Sequence, residues 1–298
     1  MPYADVWSSS WTPVEFWTHD GGHISLGRLA HPHDVEMLEA AMWASPCPRR
    51  TETQMSSTAE LLDLVERLPA PAELIASATL GPRERRIHAH DVEVSTDWWA
   101  RELAARGMED ELFDAPDSVL TRGDLFTLGT RASQDPGSAR RLLWAALAWG
   151  TGTRHRNNRA RLTAVSQDPD RLGSALAEAA ALARTDAGAA YRAMMPDGRN
   201  LVSHLGPPFF TKFLYFAGGG AAEHPCGILD SVVAGALAKL DRPSSWTPPG
   251  IRYWWPSSTY VTYTQLLRKW AHEASLARHE PVAADQIERW LFTPPEHR

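Results

Sequence analysis

Lysine is almost missing from this chain of 298 residues: Lys212, Lys239 and Lys269 stand against 27 arginines. Where arginine supplies nearly every positive charge, each remaining lysine is a candidate for work arginine cannot do. Arginine stays protonated, whereas a desolvated lysine can lose its proton and act as a nucleophile. Cysteine is also scarce, with Cys47 and Cys226 alone and no CxxC pair. That excludes a disulfide framework or a thiolate zinc cage and fits a reducing cytoplasm. No apolar run reaches the roughly 18 residues that a membrane span requires, so no membrane partner is expected. The opening Met-Pro-Tyr-Ala-Asp carries neither the basic nor the apolar region of a secretory signal. His19, His23, His31 and His33 fall at a spacing that matches no metal cage, so no metal and no other cofactor is expected.

What is present points to a globular chain with an anion-facing half. Hydrophobic residues make up 43% of it, enough for the core of one large domain or two smaller ones. The net charge of −6 is unevenly spread. Residues 1–120 hold 9 basic and 21 acidic residues, and residues 121–298 hold 21 basic and 15 acidic ones. Between Leu120 and Val165 there are eight arginines and two aspartates, and Arg154, Arg156, Arg159 and Arg161 follow one another with no acidic neighbour. The local field, not the total, decides what a face attracts.

Along the chain, Trp7, Trp11 and Trp17 mark an N-terminal segment, 1–55, of unread role, with a helix start at His33-Asp34 and a linker at Pro46–Arg50. Residues 56–117 read as a subdomain. A capping box at Ser57 and Glu60 opens a helix, Pro71 to Thr79 forms another, and Arg85–Val94 alternates as a strand would, with His88 and His90 on one face. Ser95–Gly107 reads as helix. From 118 to 298 the pattern is helical throughout. Thr121, Asp135, Asp168, Asp186 and Asp230 stand as N-caps, and Pro136 and Pro169 occupy first helical positions. The fold class expected is mainly α with a small β element in the N-terminal half.

Lys212 lies among Phe209, Phe210, Phe213, Tyr215 and Phe216, surroundings that favour a neutral amine. Asp230 follows 18 residues later as the cap of a helix over Ser231–Leu240, where its carboxylate is held rigidly. A helix, a tight loop and a capped helix can bring these two groups into one cleft. Aromatics at this spacing are also what a plain core looks like, and a helix-edge lysine can simply reach to water.

Asn200-Leu-Val-Ser-His-Leu205, Gly206-Pro-Pro-Phe209 and Phe210-Thr-Lys-Phe-Leu-Tyr-Phe-Ala217 look like a short helix, a hairpin and a second helix spanning 200–217. With lysine in the second helix and aspartate 18 residues on, this layout resembles the helix-hairpin-helix DNA glycosylases, most of all their 8-oxoguanine DNA glycosylase branch. Arg156-Asn-Asn-Arg-Ala-Arg-Leu162 is similar to the Asn-rich loop of that branch. The resemblance covers residues 118–292. It implies a helical glycosylase-like core, double-stranded DNA with a damaged or modified base as partner, and base flipping. Lys212 would be the nucleophile at C1′ and Asp230 its electrostatic partner. Arg156, Asn157 and Asn158 would fill the gap, and Arg161 would read the base left behind. Gly206, Phe209 and Phe210 would offer hairpin amides to a phosphate, and Phe216 would stack on the base. Trp254, Trp255, Tyr260 and Tyr263 would line the far wall of the pocket. Two departures stand out. Pro207 and Pro208 replace hairpin glycines and have no N–H to give, and arginine occupies position 156 where the branch has asparagine.

The leading expectation is therefore a DNA glycosylase and abasic-site lyase for an oxidised purine such as 8-oxoguanine. A glycosylase of the same fold for another base, a non-catalytic DNA-binding module, and a protein-interaction module docking through the Trp-rich N-terminus remain open beside it.

Overall fold

The computed structural model describes residues 14–17, 23–26, 63, 65–114, 118–240 and 255–297. The chain divides into two compact units, Met1–Gln54 and Met55–Arg298. In the first, strands β1 (Val14–Trp17) and β2 (His23–Leu26) pair antiparallel, with Val14 opposite Leu26 and Trp17 opposite His23. The helix start at His33, the linker at Pro46–Arg50, the capping box at Ser57 and Trp254 lie outside the described residues.

The second unit is mostly helical. After α1 (Ala72–Ala76) comes a single helical turn, Glu84–His88, then β3 (Asp91–Val94) and α2 (Thr96–Ala104). β4 (Ser118–Thr121) returns to pair antiparallel with β3, placing Val92 opposite Leu120. The strand expected over 85–94 is thus confined to its last four residues. The alternation in 85–90 arises instead from a wide helical turn that buries Ile87 and turns Arg85 and Arg86 outward. His88 and His90 consequently leave any common strand face: His88 sits edge-on to Phe126, and His90 edge-on to Trp149.

From Thr121 onward local cap chemistry sets the helix starts. α3 (Arg122–Gly129) opens on a full capping box between Thr121 and Asp124. α4 (Pro136–Thr151) opens on Asp135, which accepts from Ser138 N at 2.8 Å and precedes a proline at the first helical position. α5 (Asn158–Ser166), α6 (Pro169–Ala183) and α7 (Ala187–Ala193) follow, the last two capped by Asp168 and Asp186. α8 (Pro207–Phe216), α9 (Ser231–Lys239), α10 (Ser257–Arg278) and α11 (Ala284–Phe292) complete the chain. No helix among the described residues is long and apolar enough to cross a membrane.

α4 is the central element, buried along Leu142, Leu143, Trp144, Leu147 and Trp149, and packed by α3, α6 and α8. α3 crosses α8 backbone to backbone at Gly129, where an added Cβ would sit 1.8 Å from the Phe216 carbonyl oxygen. Only glycine allows that approach. It fixes the height of α8, the helix that carries Lys212. Beneath α8 lies a buried polar chain. Arg122 donates to Glu288 at 2.9 Å, to Tyr215 at 3.3 Å and to His90 Nδ1 at 3.2 Å, and Tyr215 donates to Asp285 at 2.9 Å. Arg83 closes the chain by bonding Asp285 through Nε and Nη2.

A half-buried histidine, His90, and a buried one, His224, make stability depend on pH. Burial, then the neighbouring Arg122, pushes His90 down to about 3 from its ordinary 6.5. Burial likewise pushes His224 down to about 4, with its Nε2–H donating to Leu214 O at 2.9 Å. Both rings bind a proton more weakly folded than unfolded. The stability they lend is complete above the unfolded value and is lost as pH falls through it, down to the folded values. Near pH 5 stability should fall as pH drops with a slope of at most about 2.7 kcal/mol per pH unit, the limit for two protons taken up on unfolding, and the slope should ease toward pH 4 as folded His224 takes its proton. Melting temperature followed across that range checks this. His224→Gln, which keeps a donor for Leu214 O, should remove about one proton's worth of the slope.

Candidate active site

The site grows from the start of α8. Gly206 caps it, and Pro207 and Pro208 take its first two positions. The Gly206 carbonyl accepts the Phe209 and Phe210 amides at 3.0 and 3.1 Å. The amides expected to grip a phosphate at Phe209 and Phe210 are therefore spent inside the helix. Residues 200–205, expected as the first helix of the pair, form turns instead. His204 holds a φ of 64°, a left-handed conformation unusual for a side-chain-bearing residue.

One and a half turns into α8, Lys212 points its Nζ between two acceptors: Asp230 Oδ2 at 3.1 Å and its own helix's Pro208 carbonyl at 2.9 Å. The two charged side chains are 9% and 13% exposed, so this is an ion pair largely withdrawn from water yet open at one edge. Asp230 is held by division of labour. Its Oδ1 caps α9, accepting from Val232 N and Val233 N at 3.1 Å each, and its Oδ2 faces the lysine. The strand-like segment leading to it is pinned on two sides. Thr211 accepts from Leu229 N at 3.2 Å, while Tyr263 donates to Ile228 O at 2.6 Å and Tyr260 to Gly227 O at 2.9 Å. Tyr260 and Tyr263, expected along a pocket wall, are buried as anchors of this segment, and Trp255 is buried with its carbonyl accepting from Tyr191.

The aromatic surroundings of Lys212 differ from those expected. Phe209 lies against it, with Nζ 5.9 Å from the ring centroid. Phe210 and Phe216 are wholly buried in the core, where Phe216 lies edge-on to Trp149 at 5.4 Å. Phe209 joins the lysine to the basic loop, because the Arg161 guanidinium lies 3.8 Å above the centre of the same ring. Arg161 is nearly buried. It donates to His204 O at 2.8 Å, Arg156 O at 3.2 Å and Asn158 Oδ1 at 2.7 Å. Burial pushes it down to about 9, which leaves it charged at neutral pH. Through Nε and Nη1 it braces the loop against the backbone at His204. Asn158 is buried with it and donates to Thr151 at 3.0 Å, whereas Arg156 and Asn157 are exposed, Asn157 with a φ of 58°.

Lys212, Asp230, Phe209, Arg161 and the 156–158 loop are thus brought to one place, and Phe210 and Phe216 are not. Sequence reasoning missed Gly150 and Thr211. A Cβ at Gly150 would meet Lys212 Cδ at 3.1 Å, so that glycine makes room for the lysine stem. It stands in the Gly-Thr-Gly that reads only as a helix end, and nothing local marks its partner. A separate cavity is lined by Tyr215, His224, Cys226, Thr264, Arg268 and Glu288, and neither Lys212 nor Asp230 borders it. Among the described residues no group of three or more histidine, cysteine or acidic side chains is placed to hold a metal.

A family described as "Putative 8-oxoguanine DNA glycosylase OGG-like protein" matches residues 85–292. The chain belongs to this family. Membership makes it a DNA glycosylase-like protein, and the matched span takes in the whole of the Lys212–Asp230 site and the basic loop. No curated protein and no solved structure matches the chain.

Proposed function

We propose that this protein is a DNA glycosylase with an associated lyase step, acting on an oxidised purine such as 8-oxoguanine in duplex DNA. The observation that carries the reading is the Lys212–Asp230 pair, 3.1 Å apart and mostly desolvated at the start of α8. The target base is flipped out of the stack, since its glycosidic bond is shielded within the duplex. Asp230 Oδ2, the carboxylate oxygen on Nζ, takes the ammonium proton. The freed amine attacks C1′, the C1′–N bond breaks, and its electron pair leaves with the base, which takes up the proton that Nζ sheds on bonding to C1′. The carboxyl proton then passes to O4′ as the sugar ring opens, leaving a Schiff base between Nζ and C1′. Loss of a C2′ proton expels the 3′-phosphate and nicks the strand. Once ionised again, Asp230 faces the positive charge of the sugar intermediate.

Borohydride trapping tests this. Duplexes carrying 8-oxoguanine opposite each base, an abasic site, or no lesion are incubated with the protein and reduced. The expected result is a lesion-dependent covalent adduct that disappears in Lys212→Gln, with a loss of at least about a thousandfold, because an amide cannot serve as the nucleophile. Lesion binding without any adduct removes the lyase step. A second reading, a glycosylase of the same fold for a different modified base, is favoured by Arg156 in the loop and by Phe216 lying in the core. Base release measured over a panel of modified bases separates the two.

A further inference from the structure

The loop between α4 and α5 carries a feature the proposed reaction leaves unused. The imidazole of His155 lies flat on the indole of Trp98, with ring centres 3.9 Å apart and planes 4° from parallel. That is the geometry of a base on an aromatic platform, where stacking tolerates any base. Trp98 is half-buried and buttressed edge-on by Trp99, which in turn stacks on Phe113. The platform is therefore rigid, while its cover is not a settled core residue. His155 Nδ1 is shut away from solvent with no hydrogen-bond partner, an arrangement that costs stability for as long as the ring stays in place. Burial and the nearby Arg159 lower its proton affinity, so the cover is a neutral flat ring at pH 7.

The pair also adjoins the candidate site through a continuous set of contacts. His155 O accepts from Asn158 N at 3.1 Å, Asn158 Oδ1 accepts from Arg161, Arg161 lies on Phe209, and Phe209 lies by Lys212. Arg154 and Arg156 flank the histidine and are exposed. Flipping a base out of a duplex always leaves a second base without its partner, beside the loop that enters the gap. We propose that Trp98 is the stacking platform for this unpaired base on the complementary strand, and that His155 holds the platform covered until DNA displaces it. The inference rests on the DNA glycosylase reading above.

The test uses a short duplex with 2-aminopurine opposite a tetrahydrofuran abasic analogue, which binds but cannot react. In the saturated wild-type complex the probe stacks on indole and stays quenched. Trp98→Leu, at saturation, should emit at least about threefold more brightly, and Trp98→Phe, which restores a flat ring, should remain near wild type. His155→Ala should bind the same duplex about threefold to tenfold more tightly, because no ring has to leave. This arm does not depend on the tryptophan variants folding, and melting temperatures of all three are compared with wild type. Equal quenching in wild type and Trp98→Leu overturns the platform. Unchanged or weaker binding in His155→Ala overturns the displacement. If wild type binds no duplex at low salt, the parent reading falls and this inference falls with it; binding with unchanged quenching sinks the inference alone.

Discussion

Exchanging Asp230 for asparagine should slow base excision at least about a hundredfold while leaving the fold standing. The two oxygens of this side chain do different jobs. Oδ1 accepts from the Val232 and Val233 amides and starts α9, and Oδ2 meets Lys212 Nζ at 3.1 Å. Asparagine ranks with aspartate as an N-cap, and its amide oxygen can replace Oδ1. Its amide nitrogen cannot replace Oδ2: it is neutral and, like the lysine ammonium, a donor. The reaction then loses its proton acceptor and the negative charge that faces the cationic sugar. Asp230→Ala loses the cap as well and should show the same rate defect with about 1 kcal/mol less stability. Single-turnover excision from an 8-oxoguanine duplex, set beside thermal melts of both variants, reads the two roles separately. A wild-type rate in Asp230→Asn would place the carboxylate outside the chemistry. A large melting shift in Asp230→Asn would show that the ion pair, not the cap, holds α9.

The parts of this site that were legible in the sequence are those whose physics is local. An aspartate before a helix states its own role, and Asp135, Asp168, Asp186 and Asp230 each accept from backbone amides of the helix they precede. The scarcity of lysine singled out Lys212, and the resemblance to helix-hairpin-helix glycosylases, with a capping aspartate 18 residues on, paired it with Asp230. What failed was periodicity in a short window. Arg85 to His90 alternates like a strand, yet the Arg85 and Arg86 amides both bond to Pro82 O, so a helical turn forms. The segment before the hairpin departs from a helix, with His204 turned left-handed and its carbonyl held by Arg161 from 43 residues earlier. The same bond shows why Arg161 cannot be understood from its neighbours. A guanidinium in a basic loop reads as a ligand for DNA, and only the fold reveals that its Nε and Nη1 donors go to His204, Arg156 and Asn158.

Arg122 is the most distant of these hidden cases and carries the largest stability prediction. In sequence it is an unremarked residue after a capping threonine. In the fold it is 1% exposed, pairs at 2.9 Å with a Glu288 that is 2% exposed, and lies over the rings of Trp149 and Tyr215 at 5.2 and 5.4 Å. Burial opposes its charge, and the carboxylate of Glu288 more than offsets this, holding the guanidinium above its ordinary range. Arg122→Met keeps the packing volume but strands a buried carboxylate and leaves His90 Nδ1 without its donor. The expected cost is about 3–5 kcal/mol, out of a total that in domains of ordinary stability is about 5–15 kcal/mol. Glu288→Leu alone should be similarly harmful, because it strands the guanidinium. The double variant should recover most of the loss, since removing both charges also removes the penalty of burying them. Urea unfolding of the four proteins at pH 7 measures this cycle, and simple addition of the two single costs would refute a coupled buried pair. The consequence reaches the chemistry. Tyr215 of α8 receives a hydrogen bond from Arg122 and gives one to Asp285, so the helix that presents Lys212 is tied from beneath to both α3 and α11. Loosening that tie should leave Lys212 and Asp230 chemically intact yet poorly held. In Arg122→Met, activity should therefore fall at temperatures well below the unfolding transition, and the double variant should not restore it in proportion to its stability.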